Sequence, residues 1–323
     1  MKLTAKQAVD VLRAAGEPTR LRILALLARE ELSVLELCRV LDQSQPRVSR
    51  HLKLLAEAGL VERFPDGAWV FYRLAGAGAQ RQLVGEVLVR TAADDPTLAR
   101  DRRNLDDVQA ERAATALAYF AENAAHWDEI HSLYVSDADV EAVVLTVSGT
   151  GRCRRMVDLG AGTGRMLTLL GPHADQAVGL DLSQQMLNIA RRNASAAGLT
   201  HVELRHGDIF DTRLPDANAD LVVVHQVLHY LSDPAAAVCE AGRLVAEDGR
   251  LIIVDFAPHA HEFLREQHQH RRLGFSDEEM ARWLVDAGLP HIELVSLPPT
   301  RADGITVKIW ASARRPTKLR IAA

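Results

Sequence analysis

Three aspartates and three glycines between residues 158 and 208 have the spacing of a ligand cleft. In RRMVDLGAGTGRMLTLL (154–170), Asp158 lies in a short apolar strand pattern, and Gly160, Gly162 and Gly164 follow at alternate positions. Glycines so placed allow a tight turn and close approach of backbone to a ligand, with a helix opening after them. Position 165 is arginine, so the Gly-x-Gly-x-x-Gly dinucleotide fingerprint is incomplete. A carboxylate just before the turn disfavours a pyrophosphate and suits a ligand with an amino group. Asp181 closes a second strand pattern, QAVGLDLS (176–183), seventeen residues after Gly164. A carboxylate at that strand tip can accept both hydroxyls of a ribose. Asp208, at the end of the third pattern in HVELRHGDIFD (201–211), is placed to accept from an adenine amino group.

Histidines come next. His225, Gln226 and His229 follow a fourth strand pattern, near where a ligand's reacting end would lie, and either histidine can serve as a base or as a structural hydrogen-bonding group. His259, His261, His268 and His270 crowd PHAHEFLREQHQHRRLGFSDEEM (258–280), with Glu262 and Glu266 as further metal-ligand types. A polar helix lining the cleft, with Ser276 capping the next helix, is the simpler reading of that stretch, and no metal site is assigned.

A second kind of chemistry sits near the N-terminus. Ser44, Gln45, Arg47, Ser49, Arg50 and Lys53 line one side of PRVSRHLKLLAEAG (46–59), while Val48, Leu52 and Leu55 line the other. Pro46 and Gly59 mark the start and stop of that helix. LSVLELCRVL (32–41), with Ser33 as N-cap, precedes it across the polar turn DQSQ, which gives a helix-turn-helix pattern. LVERF and WVFYRL around Pro-Asp-Gly-Ala (60–74) read as a β-wing.

These residues must be positioned by two domains. The chain has 323 residues, with 48% hydrophobic and 25% charged, which excludes a disordered chain. No apolar run reaches the ~18 residues of a membrane span. MKLTAKQAVD has no signal-peptide core, and three scattered cysteines make no disulfide framework, so a cytoplasmic protein without membrane partners is expected. The net charge of −5 is uneven. Residues 1–75 hold 12 Lys+Arg against 9 Asp+Glu, a net of +3, leaving −8 for the rest, so only the head suits a nucleic acid. The later strand patterns, DLVVVHQVLHYLSDPAAAVCEAGRLVAEDGRLIIVDF (220–256), IELVSL (292–297) and ITVKIWAS (305–312), alternate with helices and give a mostly parallel, doubly wound sheet.

ELSVLELCRVLDQSQPRVSRHLKLLAEAGLVERFPDGAWVFYRL closely resembles the winged-helix domain of ArsR-type bacterial repressors, over most of residues 8–75. The resemblance implies a homodimer on double-stranded operator DNA, with helix 45–58 in the major groove and the wing near the minor groove. Metal-sensing members carry a cysteine pair in the third helix. Here ELSVL puts Ser33 and Leu35 at those positions, and Cys38 reads as a small apolar residue. Another signal is therefore expected.

VDLGAGTGRML, VGLDLSQQML, GDIFDTRLPD and DLVVVHQVLHYLSDP resemble class I S-adenosylmethionine-dependent methyltransferases, over residues 115–312. That resemblance implies an S-adenosylmethionine or S-adenosylhomocysteine site made by Asp158, Gly160, Ala161, Gly162, Gly164, Asp181, Leu182, Met186, Asp208, Ile209 and His225. Arsenite methylation fits poorly, because Cys153 and Cys239 are the only cysteines here and both segments look internal. The fold expected is thus multidomain: a winged helix-turn-helix (1–78), a dimerisation helix and charged linker (79–114), an α/β Rossmann-like methyltransferase fold (115–312) and a basic tail (313–323). Residues 100–112 read as a solvated tether, with Arg100, Arg102 and Arg103 as a second possible DNA contact. The function expected is a ligand-sensing transcription regulator tied to the methionine cycle, without catalytic residues. An active small-molecule methyltransferase carrying a DNA-binding head is the alternative.

Overall fold

The computed structural model describes residues 2–75, 78–91, 94–124, 137–149, 151–299 and 304–316. Most of the tail beyond residue 316, and the end of the expected helical stretch 93–133, lie outside the described residues. The chain divides into two compact units, Met1–Ala114 and Thr115–Ala323.

In the first unit, α1 (Ala5–Ala15), α2 (Pro18–Leu27), α3 (Val34–Leu41) and α4 (Gln45–Glu57) pack around Ile23, Leu24, Leu37, Val48, Leu52 and Leu55. A three-stranded sheet completes it, ordered β1 (Leu32–Ser33), β3 (Trp69–Leu74), β2 (Val61–Asp66). The third helix starts where its expected N-cap, Ser33, puts it. The Ser33 hydroxyl accepts from the Glu36 N–H (3.3 Å) and the Glu36 carboxylate accepts from the Ser33 N–H (2.8 Å), a capping box that starts the helix at Val34. Leu32 and Ser33 are then free to pair with Tyr72 and Phe71. The wing turn is tighter than expected: Asp66 pairs with Trp69, so only Gly67 and Ala68 form it.

Two helices follow, α5 (Ala79–Arg90) and α6 (Pro96–Asn123). The expected solvated tether over 100–112 is not what forms. Asp101, Leu105 and Val108 are buried, and with Arg112 they recur every three or four residues, so one face of α6 packs on the head's core. Arg22 donates twice to the Asp101 carboxylate (2.5 and 2.7 Å), and Arg112 donates to Glu36 (2.6 Å) and Glu30 (3.2 Å). The mixed charges that looked solvated are partly paired inside the unit. Arg100 and Arg103 remain exposed.

The second unit is a seven-stranded sheet in the order β6 (Val202–His206), β5 (Ala174–Asp181), β4 (Cys153–Leu159), β7 (Ala219–His225), β8 (Val245–Phe256), β10 (Val307–Ala313), β9 (His291–Leu297). The first five are parallel, and β10 is antiparallel to both neighbours. Along β7, Val222 and Val224 enter one apolar cluster while Leu221 and Val223 enter the other, so both faces are covered. The order reverses at β4/β7, which leaves a crevice at the carboxyl ends of those strands.

Two local expectations fail here. The polar helix expected ahead of Ser276 is short: only Phe263–His268 is helical before the next helix begins at Asp277. His259 N–H bonds to the Leu273 carbonyl and Phe275 N–H to that of Phe256, so the stretch folds back as a loop. Ser276 does cap the following helix, accepting from the Glu279 N–H at 3.2 Å. Cys239 is exposed rather than internal, because it lies on the outer side of helix Pro234–Leu244.

Candidate functional site

The glycine loop is tied to the tip of β5. Gly160 and Ala161 both donate to the Leu180 carbonyl (2.8 Å each), and the Gly162 N–H donates to Asp181 Oδ2 (2.8 Å). Asp181 Oδ1 accepts from the Ser183 N–H at 2.7 Å. Each Asp181 oxygen thus already holds one backbone donor and keeps one lone-pair direction for a ligand hydroxyl. Burial raises its carboxyl above the usual range, against the lowering effect of those N–H groups. Gly160 has φ +73°, and a Cβ there would lie 2.5 Å from Val227 Cγ2, so the turn accepts no side chain.

Asp158, one residue from the end of β4, is 1% exposed, and neither carboxylate oxygen has a partner. Burial, and then the nearby Asp181 charge, push its carboxyl up to about 8. An unpartnered buried carboxyl beside a glycine-rich loop is a strong demand for a cationic ligand. Asp208 is exposed, and its Oδ1 accepts from the Phe210 N–H at 2.9 Å. Leu182 is 40% exposed, whereas Ile209 and Met186 are buried. Met186 packs with Tyr119, Phe120, Ile189 and Tyr230. His225, the last residue of β7, is held neutral near pH 7, its imidazole lowered to about 4 by burial and by Arg165.

Sequence reading missed two parts of this site. Tyr119 and Phe120 reach it from the last turns of α6, with no local motif to announce them. The sequence offers His229 only as one of two candidates and carries no sign of its partner Asp255, near the end of β8. His229 Nδ1 lies 2.8 Å from Asp255 Oδ1. A strand-end carboxylate and a histidine 26 residues earlier meet only through β7–β8 pairing. Among the described residues no group of three or more His, Cys, Asp or Glu is placed to hold a metal ion. A hollow of about 700 Å³ opens at the other end of the strands, lined by Arg155, Asp175, His201, Glu203 and Arg205. Strand polarity favours the carboxyl-end crevice over it.

In the first unit, Ser44, Gln45, Arg47, Arg50 and Lys53 are exposed and Ser49 is half-buried, all along α4. Ser44 sits at the N-cap but makes no side-chain capping bond, and Lys53 is within 3.9 Å of Glu57. The side chains of Arg47 and Arg50 form no hydrogen bond or ion pair among the described residues. Arg63 on the wing is also exposed, a cation that the sequence reading passed over. Ser33 spends its hydroxyl on the helix cap and Leu35 is 58% exposed.

The profile of bacterial regulatory proteins of the arsR family matches residues 17–63, and a methyltransferase-domain profile matches residues 157–253. The transcriptional regulator KmtR of Mycobacterium tuberculosis is 35% identical over 108 residues, 33% of this chain and 82% of KmtR. The chain belongs to the arsR family. In this arsR-family chain the regulator is fused to a methyltransferase domain. The methyltransferase YcgJ of Bacillus subtilis is 31% identical over 113 residues, 34% of this chain and 45% of YcgJ. Among solved structures, one from a Haloferax volcanii complex between the Trm112 methyltransferase activator and a methyltransferase aligns with TM-score 0.50 and 20% identity, covering 60% of this chain and 97% of that one. At that identity the likeness shows the fold, a class I methyltransferase sheet. The chain spans about half the length of several curated relatives that it matches. Among the described residues no helix is long and apolar enough to cross a membrane.

Proposed function

We propose that the protein is a cytoplasmic transcription regulator that binds operator DNA as a homodimer. Its methyltransferase domain senses S-adenosylmethionine or S-adenosylhomocysteine, and its targets are methionine-cycle genes. The observation that carries the ligand is Asp158: both oxygens are buried and unpartnered beside the glycine loop. The ammonium of an S-adenosyl nucleoside supplies the missing partner, Asp181 takes the ribose hydroxyls, and Asp208 takes the adenine amino group. Leu182 and Ile209 flank the base, and Met186 and His225 complete the wall. When the ligand is the methionine form, it also supplies an electrophilic methyl group. On DNA, Gln45, Arg47 and Arg50 face base edges, while Ser44, Ser49 and Lys53 grip phosphates.

Linkage requires operator and nucleoside to change each other's affinity by one factor, and a useful switch needs ~1–3 kcal/mol, about 5–150-fold. Helix α6 belongs to the first unit up to Ala114 and to the second from Thr115, and it is the element through which the coupling passes. The test is the affinity for promoter DNA from the neighbouring genes with no ligand, with saturating S-adenosylmethionine and with saturating S-adenosylhomocysteine, repeated on Asp181→Ala. A ligand-dependent shift that disappears in the variant is expected. Wild-type affinities that agree within about twofold in all three states refute sensing.

A further inference from the structure

His229 and Asp255 form a pair that nucleoside binding does not use. Both are 0% exposed. Asp255 Oδ1 accepts from the Phe256 N–H (2.8 Å) as well as from His229 Nδ1, which fixes the imidazole with its proton on Nδ1 and its lone pair on Nε2. That Nε2 is buried and has no partner. The Nε2 of His259 is buried and unpartnered too. Buried polar atoms almost always find a partner in folded proteins, so two orphaned ring nitrogens in one cluster mark a place where a polar group binds.

The surroundings define that group. The ring of His229 stacks on His270 with centroids 4.1 Å apart and planes 26° apart, and Phe256 is nearly parallel to His270 at 17°. Tyr230 lies over His229 at 4.1 Å, and Phe120 meets Tyr230 edge-on at 4.9 Å. A parallel stack of flat rings is extended best by another flat ring. Two nearby cations are already paired: Arg272 with Glu279 at 3.0 Å, and Arg265 with Glu262 at 3.4 Å. Burial also lowers His259 to about 4, so the pocket favours a neutral occupant. The register places the pair beside the nucleoside cleft: His225 pairs with Val254, the neighbour of Asp255, while Asp158 of adjacent β4 pairs with Val223.

We propose that His229, held by Asp255, is the general base of a methyl-acceptor site that takes a neutral aromatic hydroxyl compound. This rests on the reading that the neighbouring cleft binds S-adenosylmethionine. His229 Nε2 takes the hydroxyl proton as an oxygen lone pair forms the new O–CH3 bond. The S–CH3 bond of the donor breaks, its electron pair staying on sulfur, so that sulfonium and hydroxyl become thioether and methyl ether. Asp255 offsets the positive charge that the imidazole gains.

The full-length protein is incubated with S-adenosylmethionine and either 1-naphthol or 4-nitrophenol, and the methyl ether is measured. Wild type is expected to methylate both. His229→Gln should lower kcat on 1-naphthol at least ~100-fold, the usual span of a lost general base. It should do far less to 4-nitrophenol, whose much more acidic hydroxyl gives up its proton with little help from a base. Its S-adenosylhomocysteine affinity, by calorimetry, should stay within about twofold, which also shows that it folds. Without any ligand, nitrogen-15 NMR should find His229 protonated on Nδ1, with that tautomer lost or mixed in Asp255→Asn. No ether from either phenol, or a His229→Gln variant as fast as wild type on 1-naphthol, overturns the proposal. A wild type that fails to bind S-adenosylhomocysteine at all overturns the cleft reading beneath it instead.

Discussion

Raising the pH from 6 to 8 should tighten S-adenosylhomocysteine binding about 50-fold, and Asp158→Asn should abolish that dependence. The carboxyl of Asp158 is lifted from 3.8 to about 8, so near pH 7 the ligand-free protein holds roughly 0.9 of a proton there. A ligand ammonium is stabilised by the ionised form, so binding must expel that proton. The ionised fraction rises from about 1% at pH 6 to about 50% at pH 8, a gain of ~2.3 kcal/mol, and affinity levels off above the folded pKa. A charge-assisted bond is worth ~1.5–3 kcal/mol, so Asp158→Asn should bind about 10–100-fold more weakly at pH 8. Stability of the ligand-free protein should move in the opposite sense. A folded pKa above the unfolded value means that the folded state holds the proton more tightly, so stability falls as pH rises from 3.8 to about 8. The asparagine variant should escape that fall and be the more stable protein at pH 8. Calorimetry in two buffers with different ionisation enthalpies reads proton release directly. An affinity independent of pH, with no proton released, refutes the pairing of Asp158 with the ammonium.

Two further outcomes test the first unit. Arg47→Ala and Arg50→Ala should each weaken specific DNA binding by ~1–3 kcal/mol if they read base edges, or reduce the salt slope by about one unit if they grip phosphate, and fluorescence anisotropy against salt separates the cases. Asp101→Asn should destabilise the head by ~3 kcal/mol in urea unfolding, because it leaves Arg22, with its side chain 11% exposed, without its carboxylate; an unchanged midpoint would mean that α6 is dispensable to that core.

Much of the fold was legible because period and punctuation agree. Val48, Leu52 and Leu55 fall on one side of a helix bounded by Pro46 and Gly59, and all three are buried. Asp158 and the alternate glycines announce a strand, a turn and a helix within a dozen residues, and the mostly parallel sheet follows from the alternation of elements. What escaped depends on contacts distant in sequence. Asp101 looks like any charge on a polar helix until Arg22, 79 residues earlier, reaches it. His229 lies in the turn after β7 and Asp255 on β8, and no spacing rule links them. Residues 258–280 misled for another reason. Their composition is helical, but backbone bonds from His259 to Leu273 and from Phe275 to Phe256 outweigh that propensity.

The cap at Ser33 has an evolutionary consequence. In metal-sensing relatives a thiolate stands at this position, whereas here the hydroxyl closes the capping box that sets where α3 begins and lets Leu32–Ser33 join the wing sheet. Cysteine is a poor substitute for that hydroxyl, and losing the cap would cost ~1 kcal/mol. Leu35 would also have to change before a thiolate pair existed. A lineage returning to metal sensing must therefore cross a less stable intermediate that binds no metal tightly, so the exchange of signals behaves as a ratchet.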